Sequence, residues 1–225
     1  MRSLARRLAR RCIRSERGHT LVEMVLVTAL LSLVTSAAFG TVIVMQNQAA
    51  HTSDRFAAQS EAQTIADRIT KDLRTAVSPS STSAALASAT ANDIVFYASL
   101  YDLSGTNPPG PTRLHAYISL VPGTSVYAFH EDSTAPDSGG SAGNYTYSTT
   151  PVARIDGQYL DPTQPLFKYY AANSNTPLGT LSTVSDLRGV ESIGITLKVR
   201  VRPNAPTVIV QTRIHLRNVD YNPNA

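Results

Sequence analysis

The sequence predicts an α+β fold, a long N-terminal helix followed by an antiparallel β-sheet, and three observations carry that expectation. No proline interrupts residues 19–77, so a single helix of about 90 Å is allowed there. Beyond residue 92 the pattern changes to short β-branched and aromatic runs with alternating polarity. Near the C-terminus, two such runs flank Arg202-Pro203-Asn204-Ala205-Pro206, a turn that suits an antiparallel hairpin.

The helix has two chemically different halves. Leu21–Met45 carries one formal charge, Glu23, in 25 residues. At ~1.5 Å per residue that run reaches roughly 37 Å, enough to cross a bilayer with some tilt. From Ser53 the pattern becomes amphipathic: Ile65, Ile69, Leu73 and Val77 recur every four residues, supported by Phe56, Ala62, Ala66 and Ala76. Asp67 and Lys71 take the favourable i,i+4 spacing on the other face. Ser78-Pro79 ends the pattern, and Gly40 is the expected place for a bend.

The remaining chain reads as strands and loops. Ser78–Ala91, rich in Ser, Ala and Thr, reads as a mobile loop. Strands are expected at Asp93–Leu100, Arg113–Val121 and Ser125–His130, the last two joined by Pro122-Gly123. Ser104–Thr112 and Asp132–Asn144 read as loops. Val152–Ile155 and Leu166–Ala171 are short strand candidates, and Leu181–Leu187 reads as a short helix capped around Ser182 or Ser185. Val190–Val201 and Thr207–Val219 form the final hairpin.

Charge separates the leader from the rest. Arg2, Arg6, Arg7, Arg10, Arg11, Arg14 and Arg17, opposed only by Glu16, give the first eighteen residues a net +6, which holds such a segment on the cytoplasmic side. Without them the chain carries 13 Lys and Arg against 15 Asp and Glu, a net charge of −2. The basic character therefore lies in the leader, and charge gives no support for nucleic-acid binding. Cys12, the only cysteine, lies there too, so disulfides and Cys-metal chemistry are excluded downstream. The roughly 150 residues after the helix are enough for one core.

Glu23 is the anomaly. A carboxylate in a hydrocarbon segment costs roughly 2.5–3.5 kcal/mol at the helix centre and less near the interface. A cut after Gly18 would place the new α-amine of His19 one helical turn away, within reach of an ion pair in the same chain or in a neighbour. An ordinary secretory signal would instead show a shorter apolar core and a small-x-small site; Ser36-Ala37-Ala38 and Ala49-Ala50 match that loosely. Arg6-Arg7 and Arg10-Arg11 lack the surroundings of a twin-arginine signal.

Gly18-His19-Thr20-Leu21-Val22-Glu23, followed by the long apolar helix, resembles the type III signal of type IV pilins and of the pseudopilins of type II secretion. The resemblance implies that a prepilin peptidase cuts between Gly18 and His19 and methylates the His19 amine. It also implies that Glu23, fifth after the cut, guides docking by pairing with a neighbouring subunit's N-terminus. The family usually has Phe first after the cut, where this chain has His19. The pilin architecture is also a long helix on an antiparallel sheet. Ala66-Asp67-Arg68-Ile69, Asp72-Leu73-Arg74, the strand Leu187–Val201 and the terminal Leu216-Arg217-Asn218 look like minor pilins of the PilW type and J-type minor pseudopilins.

By that resemblance the chain divides into a cleaved leader (1–18), a transmembrane and assembly helix (19–45), an amphipathic half (46–77) and an extracytoplasmic β-rich domain (78–225). It implies a single-pass cytoplasmic-membrane protein with its C-terminal domain outside, later part of a pilus or cell-surface filament. Its partners would be the peptidase, the membrane and other pilins, met through the N-terminal helix. The size suits a minor subunit that primes or caps assembly, since the family's major subunits tend to be shorter. The alternative is a pilus-displayed adhesin or DNA-uptake subunit.

Catalytic and metal readings find little support. His19 and His51 flank the apolar run, and His115, His130 and His215 fall on expected strands without HExxH or HxxxH spacing. Neither a P-loop nor a GxGxxG occurs. No catalytic residue, metal site or cofactor is therefore expected, and a membrane-tethered hydrolase is disfavoured. Asp132 with Asp137 offers at most a weak Ca²⁺ site in a loop. Tyr145, Tyr147, Tyr159, Tyr169 and Tyr170 suit either a contact surface or sheet and core packing.

Overall fold

The computed structural model describes residues 20–100, 110–137 and 145–216, apart from the side chains of residues 155 and 156. Gly18, His19 and the leader lie outside the described residues, as do most of the expected loops at 104–112 and 132–144 and the end of the last expected strand. Two compact units are distinguished, Met1–Ala50 and His51–Ala225.

Helix α1 spans Leu21–Arg74 and passes unbroken through Gly40. In the second unit its stripe is Ala58, Ala62, Ile65, Ala66, Ile69 and Leu73, all buried. These recur at i+3 and i+4, so they share one side. Val77 and Ala76 are buried as the spacing predicts. Phe56 corrects the expectation: it is 68% exposed and does not join the stripe. Asp67 and Lys71 are exposed. The chain leaves α1 tied to the sheet, with Val77 N–H donating to Tyr97 O at 2.8 Å and Ser99 N–H to Thr75 O at 2.9 Å.

Among the described residues eight strands follow: β1 Leu86–Ala89, β2 Asp93–Ala98, β3 Thr112–Leu120, β4 Tyr127–Thr134, β5 Val152–Leu160, β6 Phe167–Tyr170, β7 Ser192–Val199 and β8 Val208–His215, with the short helix α2 at Val184–Arg188 before β7. All pairings are antiparallel, in the order β1-β2-β3-β4-β5-β7-β6, with β8 on the other edge of β7. The result is a long helix packed on a curled antiparallel sheet, a pilin-like α+β layout. Alternation sets its inner face: Ile94 and Phe96, Leu114 and Ala116, Phe129, then Ile193, Ile195 and Leu197 are buried in the cluster that contains the helix stripe.

Four local expectations are corrected. The segment 78–91 is not all loop, because Leu86–Ala89 pairs with β2 and Ala84, Ala85 and Leu86 are buried. Asp132–Thr134 is strand rather than loop, paired to Arg113–His115. The strand from Val152 runs on to Leu160. Helix α2 is capped by Thr183, not by Ser182 or Ser185: its side chain accepts from Asp186 N–H, and Asp186 completes a capping box. The final hairpin forms as expected, in register from Ser192↔His215 to Val199↔Val208.

Candidate functional site

In the first unit the apolar run presents its side chains outward along its whole length: Leu21 is 81% exposed, Phe39 64% and Met45 69%. This helix is long and apolar enough to cross a membrane, by length and composition. Its polar groups are handled internally. The five hydroxyls between residues 21 and 45, on Thr28, Ser32, Thr35, Ser36 and Thr41, each donate to a backbone carbonyl three or four residues earlier, at 2.7–3.0 Å. A helix whose hydroxyls are satisfied this way suits an environment without water.

Glu23 stands at the start of that helix. Thr20 precedes α1; its Oγ1 accepts from Glu23 N–H at 3.3 Å and its carbonyl from Met24 N–H at 3.1 Å. Thr20 therefore acts as an N-cap, and Thr20-x-x-Glu23 has the spacing of a capping box. A carboxylate in the first turn also meets the positive end of the helix dipole. Thus the sequence-predicted Glu23 lies on the first turn beside Thr20, a capping residue the sequence reading did not single out.

The remaining sequence candidates do not come together. His51 and His215 are exposed. His115 Nε2 lies 2.7 Å from Asp93 Oδ2 and its ring stacks on Tyr117, which stacks in turn on His130. Among the described residues no group of three His, Cys, Asp or Glu is placed to hold a metal ion. Asp132 is half-buried on β4 and accepts from the Tyr117 hydroxyl at 3.3 Å, whereas Asp137 is exposed beyond the strand. The loop pairing of the two acids is thereby corrected.

The tyrosines also separate. Tyr169 is buried and donates to Thr90 O at 2.8 Å. Tyr147 donates to Pro111 O at 3.0 Å and packs on Tyr97. Burial pushes both phenol pKa values above the ordinary range. Tyr170 lies beneath the Arg213 guanidinium, 4.0 Å from its ring centre. Tyr159 has a left-handed backbone, at φ 65°.

One constellation escaped the sequence reading. Arg68 on α1 reaches Asp72 one turn on, at 2.9 Å, and Glu131 on β4 at 3.1 Å. Both acids are 2% exposed. Burial, then the neighbouring Asp72, raise the Glu131 carboxyl to about 7, against the lowering effect of Arg68. The i,i+4 Arg68/Asp72 spacing was a visible signal; a glutamate turned toward the helix was not.

Residues 13–39 match the prokaryotic N-terminal methylation motif, the signal of type IV pilins and pseudopilins. The match spans the end of the leader and most of the apolar run, and it supports a pilin- or pseudopilin-type protein. Together with that helix it fits a single-pass, membrane-anchored pilin, and it implies processing by prepilin peptidase and assembly with other pilins. No curated protein and no solved structure matches the chain.

Proposed function

We propose that this pilin-type chain is a minor pilin or pseudopilin that primes or caps a type IV pilus or a type II secretion-like filament. In this reading residues 1–18 are the leader, cut between Gly18 and His19, and the His19 amine is then methylated. Residues 19–45 anchor the precursor and later pack against other subunits, 46–77 carry the amphipathic half, and 78–225 stand outside the cytoplasmic membrane.

The observation that carries the proposal is the position of Glu23: one carboxylate in the first turn of an outward-facing apolar helix, within the methylation motif. Such a group needs a cationic partner once water is excluded. The amine created by the cut supplies one, either within the chain or on an adjacent subunit. Docking would then select neighbours whose N-terminus reaches Glu23.

Mass spectrometry of the mature chain tests the first step, with an N-terminus at a methylated His19 expected. A chain beginning after Ala38 or Ala50, or an uncut one, would sink the proposal. For the second step, Glu23→Ala should leave membrane insertion intact and reduce incorporation into filaments. Unchanged incorporation would show that the carboxylate is not the docking group.

A further inference from the structure

The end of the second unit formed by the β3–β4 turn, the end of β5 and the β7–β8 turn holds a cleft of about 310 Å³. Its position is set by a β-bulge. Phe129 pairs with Gly157 and Tyr127 with Leu160, so Ala128 alone faces both Gln158 and Tyr159. Bulges re-aim side chains, and here Tyr159 takes a left-handed backbone that ordinarily favours glycine. A bulky residue held in that conformation points to a use for its side chain. Tyr159 lines the cleft and is 37% exposed.

The cleft also contains an uncompensated cation. Arg202 is tied to Asp54 at 3.1 Å, and Asp161 to Lys198 at 2.8 Å. Arg200 is exposed, and its guanidinium makes no hydrogen bond or ion pair with any described residue; only its backbone N–H is engaged, on Tyr159 O at 3.0 Å. Tyr127 adds a second aromatic wall, and Leu160 and Pro203 add apolar ones. A guanidinium beside aromatic rings suits an anionic group carried on a compact ring.

We propose that this cleft binds an acidic sugar unit, its carboxylate on Arg200 and its ring against Tyr159. The size fits one ring rather than a chain. Single-stranded nucleic acid is disfavoured, because it calls for a basic groove that follows the backbone, whereas the chain after residue 18 is net negative. The proposal is independent of the assembly role of Glu23.

Calorimetric titration of the processed full chain in detergent, at low salt, would compare glucuronate, glucose and uridine monophosphate. Glucuronate should bind at least about tenfold more tightly than glucose, as expected for a charge-assisted pair. Arg200→Gln should erase that preference without lowering the melting temperature. Tyr159→Gly, which relieves the backbone, should weaken glucuronate binding while keeping or raising the melting temperature. Equal affinity for the two sugars, a preference that survives Arg200→Gln, or equal or tighter binding of the nucleotide would overturn the proposal. So would a Tyr159→Gly variant that loses binding only together with stability.

Discussion

Asp72 and Glu131 are two buried carboxyls that meet across the helix–sheet interface and share the Arg68 guanidinium, at 2.9 and 3.1 Å. One cation does not neutralise two acids. Burial, and then the neighbouring Asp72, favour the protonated form of Glu131 and raise its carboxyl to about 7. The interface thus couples folding to pH.

The sign follows from linkage. Glu131 binds its proton more tightly folded than unfolded, where its pKa is 4.5, so its contribution is full below about 4.5 and is lost as pH rises through about 7. Asp161 acts oppositely: the Lys198 ammonium, ahead of the Thr163 contacts, lowers it from 3.8 to about 2. Its contribution is present above about 3.8 and lost as pH falls through about 2. Thermal unfolding followed by circular dichroism should therefore show highest stability near pH 4–5, with a loss on the order of 2 kcal/mol by pH 8. Glu131→Gln should flatten the neutral limb and leave the acid limb in place. A wild-type melting temperature that is level from pH 5 to 8 would contradict the raised Glu131 carboxyl.

Gly157 on β5 lies directly against Ile65 on α1. A Cβ on Gly157 would overlap the fully buried Ile65 side chain and come within 3.1 Å of Glu61 Oε1, the acceptor for Gln158 N–H. Gly157→Ala should cost about 1–3 kcal/mol by overpacking. Because Ile65→Ala vacates the contested space, the double variant should lose less than the sum of the single losses, a coupling readable in urea denaturation. Additive losses would mean that the helix moves away instead.

How far the fold could be read depended on whether neighbours or the local pattern set each residue. Ile65, Ile69 and Leu73 announced their stripe because a four-residue apolar spacing has one helical meaning. Phe56 is exposed although Asp54 and Ala58 on either side of it are buried, because it lies nine residues before Ile65 and so on the opposite side of the helix. Leu86–Ala89 hid behind small and polar residues whose burial depends on pairing with β2. Glu131 was invisible because an inward acid makes sense only once Arg68 is known to face it. At the N-terminus the motif made Glu23 legible, while Thr20 became a cap only when the helix was seen to begin at Leu21.

Thr20 and Glu23 give the last prediction. The Thr20 hydroxyl accepts the Glu23 N–H at 3.3 Å, one of the donors that a helix start leaves without an intrahelical partner. Thr20→Ala should remove that acceptor, at a local cost of about 0.5–2 kcal/mol. The exposed first turn would then fray, and the Glu23 carboxylate would lose its fixed direction along with its backbone. Hydrogen exchange of the Glu23 amide in detergent-solubilised protein should quicken, by about tenfold for a 1.4 kcal/mol loss. Thr20→Ser, which keeps the hydroxyl, should exchange like the wild type. Were Thr20→Ala and Thr20→Ser to behave alike, the hydroxyl would not be fastening the helix start. If Glu23 docks through a fixed first turn, filament incorporation should fall in Thr20→Ala and recover in Thr20→Ser, in step with the exchange rates.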